Sequence, residues 1–186
     1  MSGDIAAILG LLRQDHKNLT WLLALMAQEA ERLGQAGASD FDCLRDIMHY
    51  LDVYPDAVHH PTEDCLLGEL RSVRPDLATG LKGLLPEHRR ISELGHKIRN
   101  ELASIQVEAG VRREILVADL EDYVATLTKH IEWEDQNLFP CFEVLVNVAS
   151  PSAAQRIMHV VDPLFGSQPS ATYSRLLHHL QFAYGR

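Results

Sequence analysis

The sequence predicts an all-α fold, an up-down-up-down four-helix bundle followed by a short helical extension. Two observations lead to this prediction. Apolar residues recur at intervals of three and four along four long stretches, the spacing that places them on one face of a helix. Sustained alternation of apolar and polar residues, the pattern of half-buried strands, does not occur. We therefore assign residues 1–148 to the bundle and residues 149–186 to an extension that packs on the bundle or on a second subunit.

The first helix is predicted from about Asp4 to Leu33, and His16 interrupts its apolar stripe. Glycines in the stretch that follows indicate a turn, and Ser39 or Asp40 can cap the second helix. The apolar members of the stripe are Ile5, Ile8, Leu9, Leu12, Leu19, Leu23, Met26 and Ala30. One polar side chain is thus set into a face that is otherwise suited to a core.

The second helix covers roughly Asp40 to Arg71 and contains Pro55 and Pro61. Each proline lacks a backbone N–H donor and crowds the preceding turn, so we expect this helix to be kinked. A kink next to His59 would change the direction in which that side chain points.

The third helix is predicted to start near Pro86, which suits a first helical turn, and to end at Gly110. It carries His88. The fourth helix begins near Val111 and continues beyond Pro140 with a bend. Its common face holds Ile115, Leu116, Leu120, Tyr123, Leu127, His130 and Glu134.

The extension is predicted to contain two shorter helical stretches, separated by prolines and a glycine. Its histidines have no carboxylate at helical spacing, so we do not assign them to a site. They are His159, His178 and His179.

The composition narrows the class of protein. At 186 residues and 46% hydrophobic content, the chain can bury one sizeable core. A net charge of -9 argues against nucleic acid and anionic membranes as partners, because both require clustered Lys and Arg. Neither a membrane-length apolar run nor a basic leader is present, so we expect a cytoplasmic protein. Cys43, Cys65 and Cys141 lack C-x-x-C spacing, which indicates buried, reduced thiols.

One motif occurs twice, because His59 and Glu63 repeat the spacing of His130 and Glu134. Residues four apart on a helix lie on one face, so each pair can offer an imidazole nitrogen and a carboxylate oxygen to one site. With His16 and His88, the set comprises six candidate metal ligands on four helices.

A structural interpretation competes with the metal site. A lone histidine on an apolar stripe is more often a hydrogen-bonded core residue than a ligand, and a single H-x-x-x-E arises easily by chance. However, each unpaired polar group in a core costs about 1–3 kcal/mol. Two copies of the pair, with a histidine on each remaining helix, therefore favour cations as the compensation.

The donor types narrow the metal. Imidazole and carboxylate without thiolate suit iron, manganese or zinc, and six ligands are too many for one tetrahedral zinc. Glutamates can bridge two ions that lie about 3.5–4 Å apart, so two irons are favoured over manganese or zinc. The ferritin-like pattern does not fit, because histidines outnumber carboxylates here.

The order of these residues resembles the hemerythrin-like family, also called the HHE cation-binding domain. The segments from Tyr54 to Asp64 and from His130 to Pro140 are especially similar to its bacterial members. The resemblance covers about residues 5 to 148. It implies a bundle holding a di-iron centre that is bridged by Glu63, by Glu134 and by a solvent-derived oxygen. The terminal ligands that it implies are His16, His59, His88 and His130.

One position departs from the oxygen-carrying members, which have a second histidine four residues from the first on the third helix. Leu84 and Ser92 stand at that spacing here. His60, Glu87 or water can fill the gap. His60 can share a site with its neighbour only if the helix is distorted, because adjacent helical residues differ by about 100°; otherwise it lies outside the ligand set.

The residues are compatible with several functions. The resemblance spans several metal-dependent roles and does not choose between them. Open iron positions in an apolar bundle, which excludes water, favour a protein that binds or senses dioxygen or nitric oxide, with a homodimer as one arrangement. A redox enzyme acting on peroxide or nitric oxide, and an iron store or repair protein, would use the same ligands, so whether the chain is an enzyme stays open. A bundle whose histidines only form hydrogen bonds is the remaining alternative. Tyr54 and Tyr123 are candidates to line the pocket, although packing is the commoner role.

Overall fold

A computed structural model describes residues 2–35, 39–105, 112–148 and 162–184. Those residues form nine α-helices and no strand. The helices are α1 (Ser2–Gly34), α2 (Phe41–Tyr54), α3 (His60–Val73), α4 (Pro75–Ala78), α5 (Leu84–Ile105), α6 (Arg113–Trp133), α7 (Phe139–Glu143), α8 (Leu145–Val148) and α9 (Ser174–Tyr184).

Four rods make up the bundle. They are α1, the pair α2–α3, α5, and the series α6–α8. Contacts join α1 to α2, α2 to α5, α5 to α6, and α6 back to α1, so rods that are consecutive in sequence are neighbours in space. Short connections between neighbouring rods require alternating directions. The all-α bundle that the periodicity predicts is confirmed.

A π-helical turn interrupts two of the rods. Pro55–His59 joins α2 to α3, and Glu134–Leu138 joins α6 to α7. Each turn is closed by an N–H that donates to the carbonyl five residues earlier, from His60 to Pro55 and from Phe139 to Glu134. In both rods a proline follows the residue that closes the turn. The predicted distortion around His59 therefore takes the form of a wide helical turn.

Two apolar clusters fill the bundle, one toward each end. One contains Leu19 and Leu23 of α1 together with residues of α2, α5, α6 and α9. The other contains Leu9 and Leu12 of α1 with residues of α3, α7 and α8. On α1, His16 lies between these two groups, and the motif residues of the other rods occupy the same boundary. The candidate ligands thus form a polar layer across the middle of the core.

Helix α9 packs against α2. Leu176 and Leu180 are buried in the cluster that also contains α2, and Arg175 forms an ion pair with Asp46 at 2.5 Å. Helix α8 ends at Val148, the predicted boundary of the bundle, and residues 149–161 lie outside the described residues, so the first helical stretch of the extension is not described. The expected helix ends at Gly110 and Val111 also lie outside the described residues.

Two further expectations concern the described residues. All three cysteines are free thiols, as their spacing indicates, but the expected burial is wrong for two of them, because Cys65 is exposed and Cys141 is half-buried. No helix within the described ranges combines the length and apolar character that crossing a membrane requires.

A pair of adjacent leucines tests how strongly the core stabilises the bundle. Leu12 is fully buried, whereas Leu11 is 47% exposed on the same helix. We expect Leu12→Ala to lower the free energy of unfolding by about 2–5 kcal/mol, because it leaves a cavity. We expect Leu11→Ala to change it by less than about 0.5 kcal/mol. Urea denaturation followed by circular dichroism measures both; equal losses would contradict this packing.

Candidate metal centre

The structure brings all six predicted residues together, and His60 with them. They come from four rods: His16 from α1, His59 and Glu63 from the α2–α3 rod, His88 from α5, and His130 and Glu134 from the α6–α8 rod. All seven side chains are buried, the most exposed being His88 at 6%.

The donors fall into two adjoining groups. The first consists of His16, His59, Glu63 and Glu134, and the second of His60, His88 and His130. Within each group, one nitrogen or oxygen atom per residue lies within 4.8 Å of the corresponding atoms of the others. The π-helical turn gives both neighbours, His59 and His60, a place in the site, one in each group.

Both glutamates face the two groups at once. Glu63 places Oε1 3.4 Å from Nε2 of His59 and Oε2 3.6 Å from Nε2 of His88. Glu134 places Oε2 3.3 Å from Nε2 of His16 and Oε1 3.0 Å from Nε2 of His130. Each carboxylate therefore presents one oxygen to each group, which is the arrangement a bridging ligand needs.

A carboxylate lies behind every histidine of the site, next to its Nδ1. Such contacts orient the ring and favour the tautomer that leaves Nε2 as the metal donor. The five contacts are His16 with Asp135 at 2.8 Å, His59 with Asp15 at 3.1 Å, His60 with Asp56 at 3.3 Å, His88 with Asp64 at 3.2 Å and His130 with Glu87 at 3.6 Å.

Four of these carboxylates share an arrangement that was not predicted from the sequence. Each is adjacent in sequence to one candidate ligand but contacts the histidine of a different rod. Asp15 of α1 contacts the second rod, Asp64 of the second contacts the third, Glu87 of the third contacts the fourth, and Asp135 of the fourth contacts α1. The contacts close a ring around the bundle. The signal in the sequence was an acidic residue directly next to one candidate ligand in each rod.

Two histidines of the site have raised pKa values. Burial lowers the pKa of His59, but the carboxylates of Glu63 and Asp15 outweigh it and raise the pKa well above 6.5. Burial also opposes protonation of His88, yet its contacts with Asp64 and Glu134 raise the pKa to about 9. Without metal, protons on these rings balance part of the negative charge.

The pKa values of His60 and Glu134 suit metal binding. Burial lowers the pKa of His60 to about 3 despite the nearby Asp56, so this ring is neutral and has a free lone pair near pH 7. Burial raises the pKa of Glu134, but contacts with the imidazoles of His130, His16 and His88 outweigh it and lower the pKa well below 4.5. An anionic carboxylate and a neutral imidazole are the forms that coordinate cations.

Several donor atoms in the layer lack a hydrogen-bond partner among the described residues. They include both oxygens of Glu63, Oε2 of Glu134 and Nε2 of His130. A buried polar atom left this way costs about 1–3 kcal/mol, more when the group is charged. Cations placed between these atoms would satisfy them, so the residues present fit a metal site.

The family model for the hemerythrin HHE cation-binding domain matches residues 7–142. The chain belongs to this family. The match covers all seven side chains of the polar layer, and members of the family bind metal cations. Neither the curated proteins nor the solved structures contain a significant match to the chain. The family resemblance read from the motifs is thereby confirmed.

The remaining candidates from the sequence have different places. The hydroxyl of Tyr54 donates to the Asp15 carboxylate at 3.2 Å, so it supports the partner of His59. Tyr123 instead donates to the Leu51 carbonyl at 3.1 Å, as expected of a core residue. In the extension, His178 is exposed, whereas His159 lies outside the described residues.

A cleft of about 650 Å³ opens beside the first donor group. His16 and its partner Asp135 form part of its wall, together with Arg13, Lys17 and Trp21. This cleft connects the protein surface with the edge of the His16 ring.

The raised pKa of His88 makes the metal-free protein sensitive to base. A group whose pKa is higher in the folded state contributes stability below its unfolded pKa, and that contribution disappears as the pH rises through the folded value. We expect the free energy of unfolding to fall by on the order of 2 kcal/mol between pH 6.5 and about 9. His60 is neutral in the folded state throughout this range, and it opposes the change only near pH 6.5, where an unfolded histidine is still partly protonated.

Urea titrations in the presence of a chelator measure this dependence. The variant His88→Gln should reduce the slope with pH, whereas His178→Gln, on the exposed side of α9, should retain it. A wild-type stability that stays constant over the range would contradict the charge distribution described here.

Proposed function

We propose that the centre holds two irons. His16 and His59 bind one ion, His60, His88 and His130 bind the other, and Glu63 and Glu134 bridge them. The proposal is carried by the position of the two glutamates. In each of them, one carboxylate oxygen faces the first donor group and the other oxygen faces the second. Nitrogen and oxygen donors without thiolate suit iron, with manganese and zinc as the less favoured ions.

In this proposal His60 replaces the histidine that the third helix lacks. Its ring stacks on His88 with centroids 4.1 Å apart, and it belongs to the same donor group as His88 and His130. The second ion would then have five protein donors and the first would have four. If one solvent-derived oxygen bridged the ions, as in oxo- or hydroxo-bridged pairs, the ion held by His16 and His59 would have the fewer donors and would be the one open to a further ligand.

We propose that the physiological ligand is a small diatomic molecule, dioxygen or nitric oxide, which the protein binds or senses. A reduced iron pair with an open position supplies the reversible binding of such molecules. The cleft beside His16 supports this choice, because it approaches the side where the open position falls. His16 itself is only 2% exposed, so small molecules are favoured over large substrates. The apolar clusters on both sides keep water away from the centre.

Metal stoichiometry tests the division of ligands. The wild type should bind two irons per chain. His130→Ala should lower the affinity for one ion by about tenfold or more, since even the loss of a supporting contact has effects of that size. The other ion should be retained. Glu63→Ala should lower the affinity for both ions, because each oxygen of the Glu63 carboxylate faces a different donor group. Elemental mass spectrometry after graded chelation measures the retained metal.

The exposed His178→Ala provides the matched control and should retain both irons. The proposed bridge would be wrong if Glu63→Ala lost a single ion in the manner of His130→Ala. One zinc per wild-type chain would contradict the iron pair.

Reaction with gases tests the role. The reduced protein should give one reversible optical change per centre with dioxygen or nitric oxide, and His60→Ala should retain less than one half of that signal if the second ion is lost. Absorption spectroscopy during repeated gas exchange measures it. Continuous consumption of hydrogen peroxide or nitric oxide with a supplied reductant would instead identify an enzyme. Absence of any reaction with either gas would contradict the proposed ligand.

A further inference from the structure

A third group of potential metal donors lies outside the centre. It consists of Asp52 near the end of α2, Asp56 in the first π-helical turn and His96 on α5. One donor atom of each lies within 4.8 Å of the others. The Asp52 side chain is fully buried, Asp56 is half-buried and the His96 side chain is 51% exposed. The group therefore leads from the surface into the bundle.

The two oxygens of Asp52 have different surroundings. Oδ2 lies 2.7 Å from Nη1 of Arg99, which offsets part of the negative charge. Oδ1 lies 3.5 Å from Nε2 of His96, and neither oxygen has a regular hydrogen bond among the described residues. A buried carboxylate oxygen thus points toward an exposed imidazole, with one partner too distant for a good hydrogen bond.

A glycine keeps the space beside this oxygen open. A Cβ atom at Gly95 would lie 3.0 Å from Oδ1 of Asp52 and 3.5 Å from both Met48 and Tyr123. Helix interiors normally disfavour glycine by about 1 kcal/mol relative to alanine. Gly95 is the residue before His96, so this small residue stands where the acidic and imidazole donors meet.

Asp56 connects this group with the metal centre. Its Oδ1 lies 3.3 Å from Nδ1 of His60, a member of the second donor group, while Ser92 donates a hydrogen bond to its Oδ2. One carboxylate is thus adjacent both to the surface-accessible His96 and to a side chain of the buried centre. Among the described residues, none of the other carboxylates paired with the centre belongs to a second metal-donor group.

We propose that Asp52, Asp56 and His96 form an acquisition site for a divalent cation, from which the ion passes by way of Asp56 and His60 to the buried centre. The delivery step rests on the proposed function of that centre. Two carboxylates and one imidazole suit Fe²⁺ and similar ions. The transfer exchanges ligands and changes no oxidation state. Arg99, whose side chain is 39% exposed, stands in for the cation in the metal-free protein and can turn toward solvent.

Cobalt(II) binding to the metal-free full-length chain tests the proposal. The wild type should bind three ions, two of them tightly, in equilibrium dialysis. His96→Ala should bind two, and its tight pair should fill more slowly by about tenfold in stopped-flow absorption, the lower range of effects from lost supporting contacts. His178→Ala is the matched control, another exposed histidine that should behave as the wild type.

A second variant leaves every donor in place. Gly95→Ala should abolish the third ion, because its methyl group crowds Oδ1 of Asp52, while circular dichroism shows an intact helix. Two tight ions in the wild type and His96→Ala, filled at equal rates, would overturn the acquisition site and leave the iron pair standing. If His96→Ala lost the third ion but its tight pair filled as fast as in the wild type, the delivery of the ion to the buried centre would be wrong. If the wild type and all variants bound fewer than two ions tightly, the proposed two-ion centre would be wrong, and so would the delivery of an ion to it.

Discussion

The constraint on which the structure depends is the placement of ionisable groups inside an apolar bundle. Two glutamates and five histidines occupy one layer of the core, each with at most 6% of its surface exposed. Ionised groups are tolerated at such depth only when other charges and hydrogen bonds surround them. Here the surroundings are the imidazoles, the five carboxylates behind them and, in the proposed state, two cations.

The ring of carboxylate and imidazole contacts has a geometric consequence. Because an acidic residue on each rod contacts the histidine of the next, the axial position and the rotation of each rod are tied to those of its neighbours. The contact between Asp15 and His59, for example, links α1 to the second rod, and Asp135 links the fourth rod back to His16. Apolar packing alone specifies such alignment less sharply, since it has no direction. We infer that this circuit of contacts around the bundle aligns the candidate ligands before metal binds.

The two π-helical turns serve the same layer. One ends at His59 and the other begins at Glu134, so each wide turn is adjacent to a candidate ligand. In an unbroken α-helix, His59 and His60 would point about 100° apart. The wide turn brings both rings to the layer. In the proposed centre, His60 takes the place that a third-helix histidine would otherwise fill. In the proposed centre, metal binding would be coupled to folding, because the same distorted segments supply the donors and the core.

Much of the fold and of the candidate site was readable from the sequence. The periodic apolar stripes predicted four helices, and the repeated H-x-x-x-E pairs with His16 and His88 predicted which side chains lie together, because helical spacing alone determines which residues share a face. The prolines marked both distorted segments, although their conversion into π-helical turns was not predicted. Only the tertiary structure decided how the donors divide into two groups, that His60 joins the second, and which acidic residue supports which histidine. Those outcomes depend on distances between different rods, and spacing along one helix carries no information about the rotation of its neighbour.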